Sequence, residues 1–345
     1  MHDAEHAAVP RPIREAEAPW RTPVRGGHPD PVLAARPGIE FLRAMLAGDT
    51  PAPPLSRLTG MAPVTLSADR ARFTMPASPW LYADDGRVPL GVLAMPADAA
   101  MACAIIANLP AGTAITTSEL AMRQVRPVRP GATLVTTGHV LHLPPPAPPA
   151  PPVALAEVTV SDDTGALIAR GGSLCLILPY SAEDEPSGGP GDGPGGASEA
   201  AEMDPVDAGP DPWEWTDPAP GLSRLTGLTA MAVAPGEAAF ALPATPWLCA
   251  PPPGRVQGGV VAMLAGAAMD AAMQTAAPPE SRFVSLELKL NYLRPLASDG
   301  REATAHASLV HGGRRTAVAR VEVTDADGRA IAVASGSAIA EALGS

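Results

Sequence analysis

The chain has 345 residues, enough for about two domains with sizeable cores, and 46% of them are hydrophobic although only 3% are aromatic. Its 24 basic and 36 acidic residues leave a net charge of -12, which argues against a nucleic-acid surface and requires a local basic patch for any polyanionic small ligand. Cys103, Cys175 and Cys249 lie far apart, which argues against a disulfide scaffold or a cysteine-based metal site and suits a reducing compartment.

The N-terminus is charged from Asp3 onward and no apolar stretch is long enough to span a bilayer, so no membrane association is expected and the default expectation is cytoplasmic. Residues 1–35 are polar and rich in Pro, Arg and Gly and read as a disordered or loosely packed arm. Ile39, Phe41, Leu42, Met45 and Leu46 then share one helical face before Gly48, predicting a short leading helix. Residues 64–66 and 71–75 read as short strands joined by a turn at Ser67-Ala68-Asp69-Arg70. From Gly91 to about Asn108 a small, apolar run predicts a buried helix, with Pro96 restricting where it begins or bends. If Pro96 is the first helical residue, Asp98 lies in the first turn, where the helix dipole favours an acid. Residues 113–125, 131–142, 153–162 and 165–178 read as four strands, the second and third separated by a stiff proline run at 144–152.

Residues 181–217 are rich in Gly, Pro and acids and form the natural linker between an N-terminal domain, 36–180, and a C-terminal domain, 218–345. The second domain repeats the first. Leu55-Ser56-Arg57-Leu58-Thr59-Gly60 returns as Leu222-Ser223-Arg224-Leu225-Thr226-Gly227, and Pro76-Ala77-Ser78-Pro79-Trp80-Leu81 returns as Pro243-Ala244-Thr245-Pro246-Trp247-Leu248. With one further residue of offset Val125-Arg126-Pro127 matches Leu293-Arg294-Pro295, which predicts a partner helix at about 258–275 and strands at 282–293, 301–311, 314–324 and 329–339. The fold class is therefore α+β, two copies of an antiparallel sheet wrapped around a central apolar helix, with the sheets placed edge to edge. Gly258 and Gly259 open the second helix and remove side-chain bulk where backbone amides can approach a ligand oxygen.

Gln257-Gly258-Gly259, the apolar helix behind it, and the segment Val284-Ser285-Leu286-Glu287-Leu288-Lys289-Leu290-Asn291-Tyr292-Leu293-Arg294-Pro295 together resemble the hotdog-fold acyl-CoA thioesterases of the phenylacetic-acid-degradation (PaaI-like) type. The resemblance covers residues 220–340 and extends through the repeat to about 36–180, implying a double hotdog. It also implies a CoA thioester as substrate, no cofactor and no metal, and a site shared between two units. One unit supplies a His-Gly-Gly helix start whose glycine amide polarises the carbonyl. The other supplies an acid nine positions beyond its own motif histidine, often with a Ser or Thr on the next strand.

Both copies depart from that pattern, in complementary ways. Gln257 stands at the motif histidine and Gly266 at the acid position of the second copy, whereas the first copy has Pro89-Leu90-Gly91 followed by Asp98. Site one would combine Gln257, Gly258 and Gly259 with Asp98 and Thr117. Site two would combine Pro89, Leu90 and Gly91 with Ser285 and, one turn beyond Gly266, Asp270 as an imperfect substitute for the acid. One working site and one degenerate site are expected. Glu119 and Glu287, two residues beyond Thr117 and Ser285, would fall on the same strand face by alternation. Arg314, Arg315, Lys289, Arg294, Arg123 and Arg126 are the candidates for the CoA phosphates. His311-Gly312-Gly313 spells the motif but falls between two strands, so it reads as a hairpin turn. The expected function is hydrolysis of a small or medium acyl-CoA. The alternatives are an inactive acyl-thioester or CoA-binding regulator and, third, a hotdog dehydratase, which would need a histidine that neither helix start provides. Pairing of two such chains would mimic four single hotdog units.

Overall fold

The computed structural model describes residues 17–144, 152–179, 210–217 and 219–343; most of the expected proline run and of the expected linker lies outside them. In the first repeat the strands are β1 (Ala62–Leu66), β2 (Arg70–Pro76), β3 (Thr113–Gln124), β4 (Thr133–His142), β5 (Val153–Ser161) and β6 (Leu167–Pro179). The second repeat supplies β7 (Thr229–Ala234), β8 (Glu237–Pro243), β9 (Ser281–Tyr292), β10 (Glu302–Gly312), β11 (Thr316–Thr324) and β12 (Ala330–Ala342). All twelve join one sheet in the order β1-β2-β4-β5-β6-β3-β9-β12-β11-β10-β8-β7, which reads identically outward from the β3–β9 seam once the repeats are matched. The seam pairs Glu119 with Asn291 through Arg123 with Glu287, antiparallel, so each unit closes one sheet edge of the other.

The helices are α1 (Pro31–Ala34), α2 (Gly38–Ala47), α3 (Pro54–Thr59), α4 (Leu90–Ile106), α5 (Leu222–Thr226) and α6 (Gly258–Gln274). The leading helix, the two long helices and the later strands fall where the residue patterns place them. Helices α3 and α5 carry no such signal, because Leu-Ser-Arg-Leu-Thr is too short to show a helical period. Each ends at a glycine with positive φ, Gly60 at 74° and Gly227 at 81°.

Helix α4 is buried on nearly every side, with Leu93, Met95, Met101 and Ile105 at most 1% exposed. Each such side chain contributes roughly 1.5–3 kcal/mol on burial. That packing outweighs the cost of Pro96, which sits inside the helix and not at its start. Asp98 therefore lies in the middle of α4, and the reading of it as a first-turn acid of its own helix is corrected.

Helices α4 and α6 cross where they begin. A Cβ built on Gly259 would lie 2.5 Å from Ala94 O and Met95 Cα, and one on Gly91 would lie 2.9 Å from Met263 Cα, the same contact repeated about the pseudo-twofold. Gly259→Ala therefore forces two backbones apart. It is expected to cost about 3 kcal/mol or more, the upper end of overpacking effects, and to lower the thermal midpoint; an unchanged midpoint would disprove the contact.

The expected arm and linker are corrected where the structure describes them. Residues 19–21 and 212–214 form matching Pro-Trp turns, and each lies on the other repeat: Trp20 against Gly227, Trp213 against Gly60. The buried Trp247 donates its indole N–H to Thr22 O at 3.0 Å, and Trp80 donates to Trp215 O at 2.9 Å. Burying a tryptophan with its single donor satisfied is favourable enough to order a polar, proline-rich segment. Residues 1–16 and 180–209 lie outside the described residues.

Candidate active site

Asp98, 7% exposed, points from the middle of α4 at the start of α6. Its Oδ2 accepts the Gly259 backbone N–H at 3.3 Å and its Oδ1 accepts the Thr117 hydroxyl at 3.2 Å. A carboxylate from one repeat thus caps the helix of the other, where first-turn amides lack intrahelical acceptors and the dipole favours negative charge. Burial pushes the Asp98 carboxyl up to about 6, against the opposing pull of the Gly259 and Thr117 hydrogen bonds.

Thr117 reaches inward because β3 is bulged. Thr117 pairs with Cys175 and Glu119 with Leu174, leaving Ser118 as the extra residue, its hydroxyl bonded to Leu174 O at 3.0 Å. The second repeat has the same bulge at Leu286, between Ser285 paired with Ala338 and Glu287 paired with Ser337. A bulge breaks strand alternation, and this corrects the expectation for the two glutamates. Glu119 pairs with Lys289 at 3.0 Å and Glu287 with Arg123 at 2.8 Å, all four partly exposed and bridging the seam.

Gln257 donates through Nε2 to Met95 O at 2.9 Å, tying the α6 start to the α4 backbone and not to the carboxylate. Its Oε1 is buried without a hydrogen-bond partner among the described residues. Tyr292 completes the corner: its hydroxyl donates to Gly258 O at 2.8 Å, and a Cβ on Gly258 would lie 3.4 Å from it and 3.1 Å from Asp98 Oδ2. Burial raises the Tyr292 phenol well above its ordinary value, with the Asp98 charge adding to it. The motif pattern alone gives Tyr292 no place in the site, but the residue matching it in the first repeat is Gln124, and that asymmetry is the signal. Cys175 lies 3.8 Å from the Thr117 hydroxyl. Burial, then Asp98, pushes its thiol up to about 11 and that of Cys103 up to about 12, so neither is an activated nucleophile.

The arrangement is a buried carboxylate, a hydroxyl and a helix-start amide brought to one point by two repeats. The thioesterase superfamily model matches residues 253–332, from the loop before α6 into β12. The chain belongs to the thioesterase superfamily.

Among solved structures, the tesB protein of Mycobacterium avium subs paratuberculosis is 12% identical, covers 85% of this chain and 99% of its own, and superposes with a TM-score of 0.51. Acyl-CoA thioesterase II TesB2 from Mycobacterium marinum is 11% identical, covering 84% of this chain and 99% of its own, also at 0.51. A variant of the phenylacetic acid degradation protein PaaI from Thermus thermophilus is 32% identical over 34% of this chain and 96% of its own, with a TM-score of 0.31. No curated protein matches the chain. The two mycobacterial structures share the double-hotdog fold. Among the described residues no helix is long and apolar enough to cross a membrane.

At the second site shared by the two hotdogs, Gly266 lies against Gly91 and Ser285 against Asp270. Pro89 precedes α4 at its cap position, and a Cβ on Gly266 would lie 3.3 Å from Gly91 Cα. The Ser285 hydroxyl donates to Asp270 Oδ1, and burial pushes the Asp270 carboxyl up to about 6 against that hydrogen bond.

The six cations proposed for CoA are not brought to one place. Arg123 and Lys289 are paired across the seam. Arg126 and Arg294 follow the C-terminal ends of antiparallel β3 and β9 and so lie at opposite ends of that seam, Arg294 donating to Ala330 O at 2.8 Å. Arg314 and Arg315 sit in the β10–β11 turn, where Gly313 N–H bonds Thr316 O at 2.9 Å and His311-Gly312-Gly313 precedes no helix.

Proposed function

We propose that the chain hydrolyses acyl-CoA thioesters at site one, with Asp98 and Thr117 from the first hotdog and Gln257, Gly258 and Gly259 from the second. The observation that carries this reading is the 3.3 Å approach of Asp98 Oδ2 to the Gly259 amide across the two repeats. Where the carboxylate now rests, the carbonyl oxygen of a thioester would take the amide as it gains negative charge, an interaction worth roughly 3–4 kcal/mol in comparable oxyanion sites. Asp98, held by Thr117, then either removes a proton from water attacking the acyl carbon or attacks it directly to form an anhydride that water opens. In both routes the carbon–sulfur bond breaks, its electron pair leaves with the thiolate of CoA, and the proton from water returns to sulfur. The Mycobacterium marinum neighbour is an acyl-CoA thioesterase, which supports CoA as the carrier.

Gln257 bonded to a backbone carbonyl holds the two helices together and exchanges no proton, so the carboxylate carries the acid–base work. A second reading, an acyl-thioester binder without turnover, is favoured by the Gly259 amide being already capped. Release of CoA thiol from a panel of short, medium and aromatic acyl-CoAs decides between them. Turnover is expected; binding of every panel member without thiol release would establish the binder. Single-turnover hydrolysis in heavy-oxygen water separates the two routes, since only an anhydride places label in Asp98.

A further inference from the structure

The pair of glycines at site two leaves open what a carboxylate closes at site one. Gly266 occupies the position matching Asp98, and a Cβ built there would lie 3.3 Å from Gly91 Cα and 3.6 Å from Gly91 N. Position 266 thus faces the start of α4 but offers no side chain to cap its amide. The acid stands about one turn farther along α6, four residues on at Asp270, about 6 Å away along the helix axis.

The acid has moved but kept its hydroxyl partner. Ser285, 8% exposed and turned inward by the bulge at Leu286, donates to Asp270 as Thr117 does to Asp98. Two cations also gather around one carboxylate on the elements that lead to this site. Arg87, two residues before the α4 cap, binds Glu341 at 2.7 Å, and Arg282, three residues before Ser285 on β9, binds the same carboxylate at 3.0 Å. With Asp85 lying close enough to raise the Asp270 carboxyl the cluster is balanced in charge, and the residue matching Arg282 in the first hotdog is Ala114, so it belongs to this site alone.

We propose that site two is a second thioester-hydrolysing centre, with the Gly91 amide receiving the carbonyl oxygen and the Asp270–Ser285 pair activating water. The proposal rests on the reading of the chain as a thioesterase. Water oxygen bonds to the acyl carbon as Asp270 takes its proton; the carbon–sulfur bond breaks with its electron pair on sulfur, and Asp270 returns the proton to the thiolate. Because the acid sits a turn deeper along α6, the reacting carbon is displaced and Leu288, 3.5 Å from a Cβ on Gly266, helps bound the acyl group. The two centres therefore favour acyl groups of different size.

The test measures thiol release from the acyl-CoA panel by the full chain, by Asp98→Asn, and by Asp98→Asn combined with either Asp270→Asn or Gly266→Ala, with folding checked by circular dichroism. Asp98→Asn is expected to keep turnover of part of the panel, with a changed acyl preference. Either added substitution is expected to lower that remainder about 100-fold or more, the first by removing the base and the second by filling the space beside Gly91. A remainder unmoved by both additions overturns the proposal, as does Asp98→Asn falling to the solvent rate on every acyl-CoA, which leaves site one standing. Full activity in Asp98→Asn that both additions abolish supports site two and removes site one. A wild-type chain that releases no thiol overturns both.

Discussion

Asp98→Asn lowers kcat/KM about 100-fold or more for at least one class of acyl-CoA, the usual size of losing a positioned general base. Asparagine has nearly the shape of the carboxylate and still accepts a hydrogen bond from Gly259 N–H or from Thr117, so the fold is retained. What disappears is the ability to take a proton or attack carbon. If every acyl-CoA in the panel stays within about twofold of wild type, Asp98 is a helix cap and nothing more.

The same substitution stabilises the protein at pH 8 and does little at pH 4.5. Burial sets the Asp98 carboxyl at about 6 in the folded chain, against an ordinary value of 3.8. The folded state therefore binds more protons than the unfolded state between those values, and stability falls as pH rises through the window, levelling off above the folded value. At neutral pH the buried charge costs about 3 kcal/mol. Asparagine avoids that cost but gives up charge-assisted hydrogen bonds, so a net gain of about 1–2 kcal/mol is expected at pH 8. Denaturant midpoints of wild type and variant at both pH values check this; an equal difference at each would show that Asp98 is ionised alike in both states. Activity runs the other way, since only ionised Asp98 serves, and kcat/KM through site one falls as pH drops below about 6.

Much of this centre is readable from the chain because duplication supplies an internal reference. Gly266 in place of an acid and Pro89 in place of a motif residue stand out only against Asp98 and Gln257 at matching positions, and that comparison joins residues from opposite halves. Pro96 misleads for a physical reason: proline normally marks a helix start, and burial of the whole of α4 overrides that preference. The bulges at Ser118 and Leu286 have no residue signature, so strand alternation puts Glu119 and Glu287 on the wrong face. The capping of Gly259 by Asp98 depends on how closely two glycine-lined helices cross, a tertiary distance that no local pattern encodes. The Pro-Trp turns are hidden because Trp20 and Trp213 are spaced differently from the rest of the repeat.

Those exchanged tryptophan turns bear on how the molecule comes apart. The segment leading into each hotdog is anchored on the opposite one, and Trp80 and Trp247 are completed only by carbonyls from across the pair. Neither half can melt while its neighbour stays intact without baring a large indole and its unsatisfied donor. Heating should therefore give a single calorimetric transition, with van't Hoff and measured enthalpies in agreement, for a chain that by length alone would be expected to unfold in two steps.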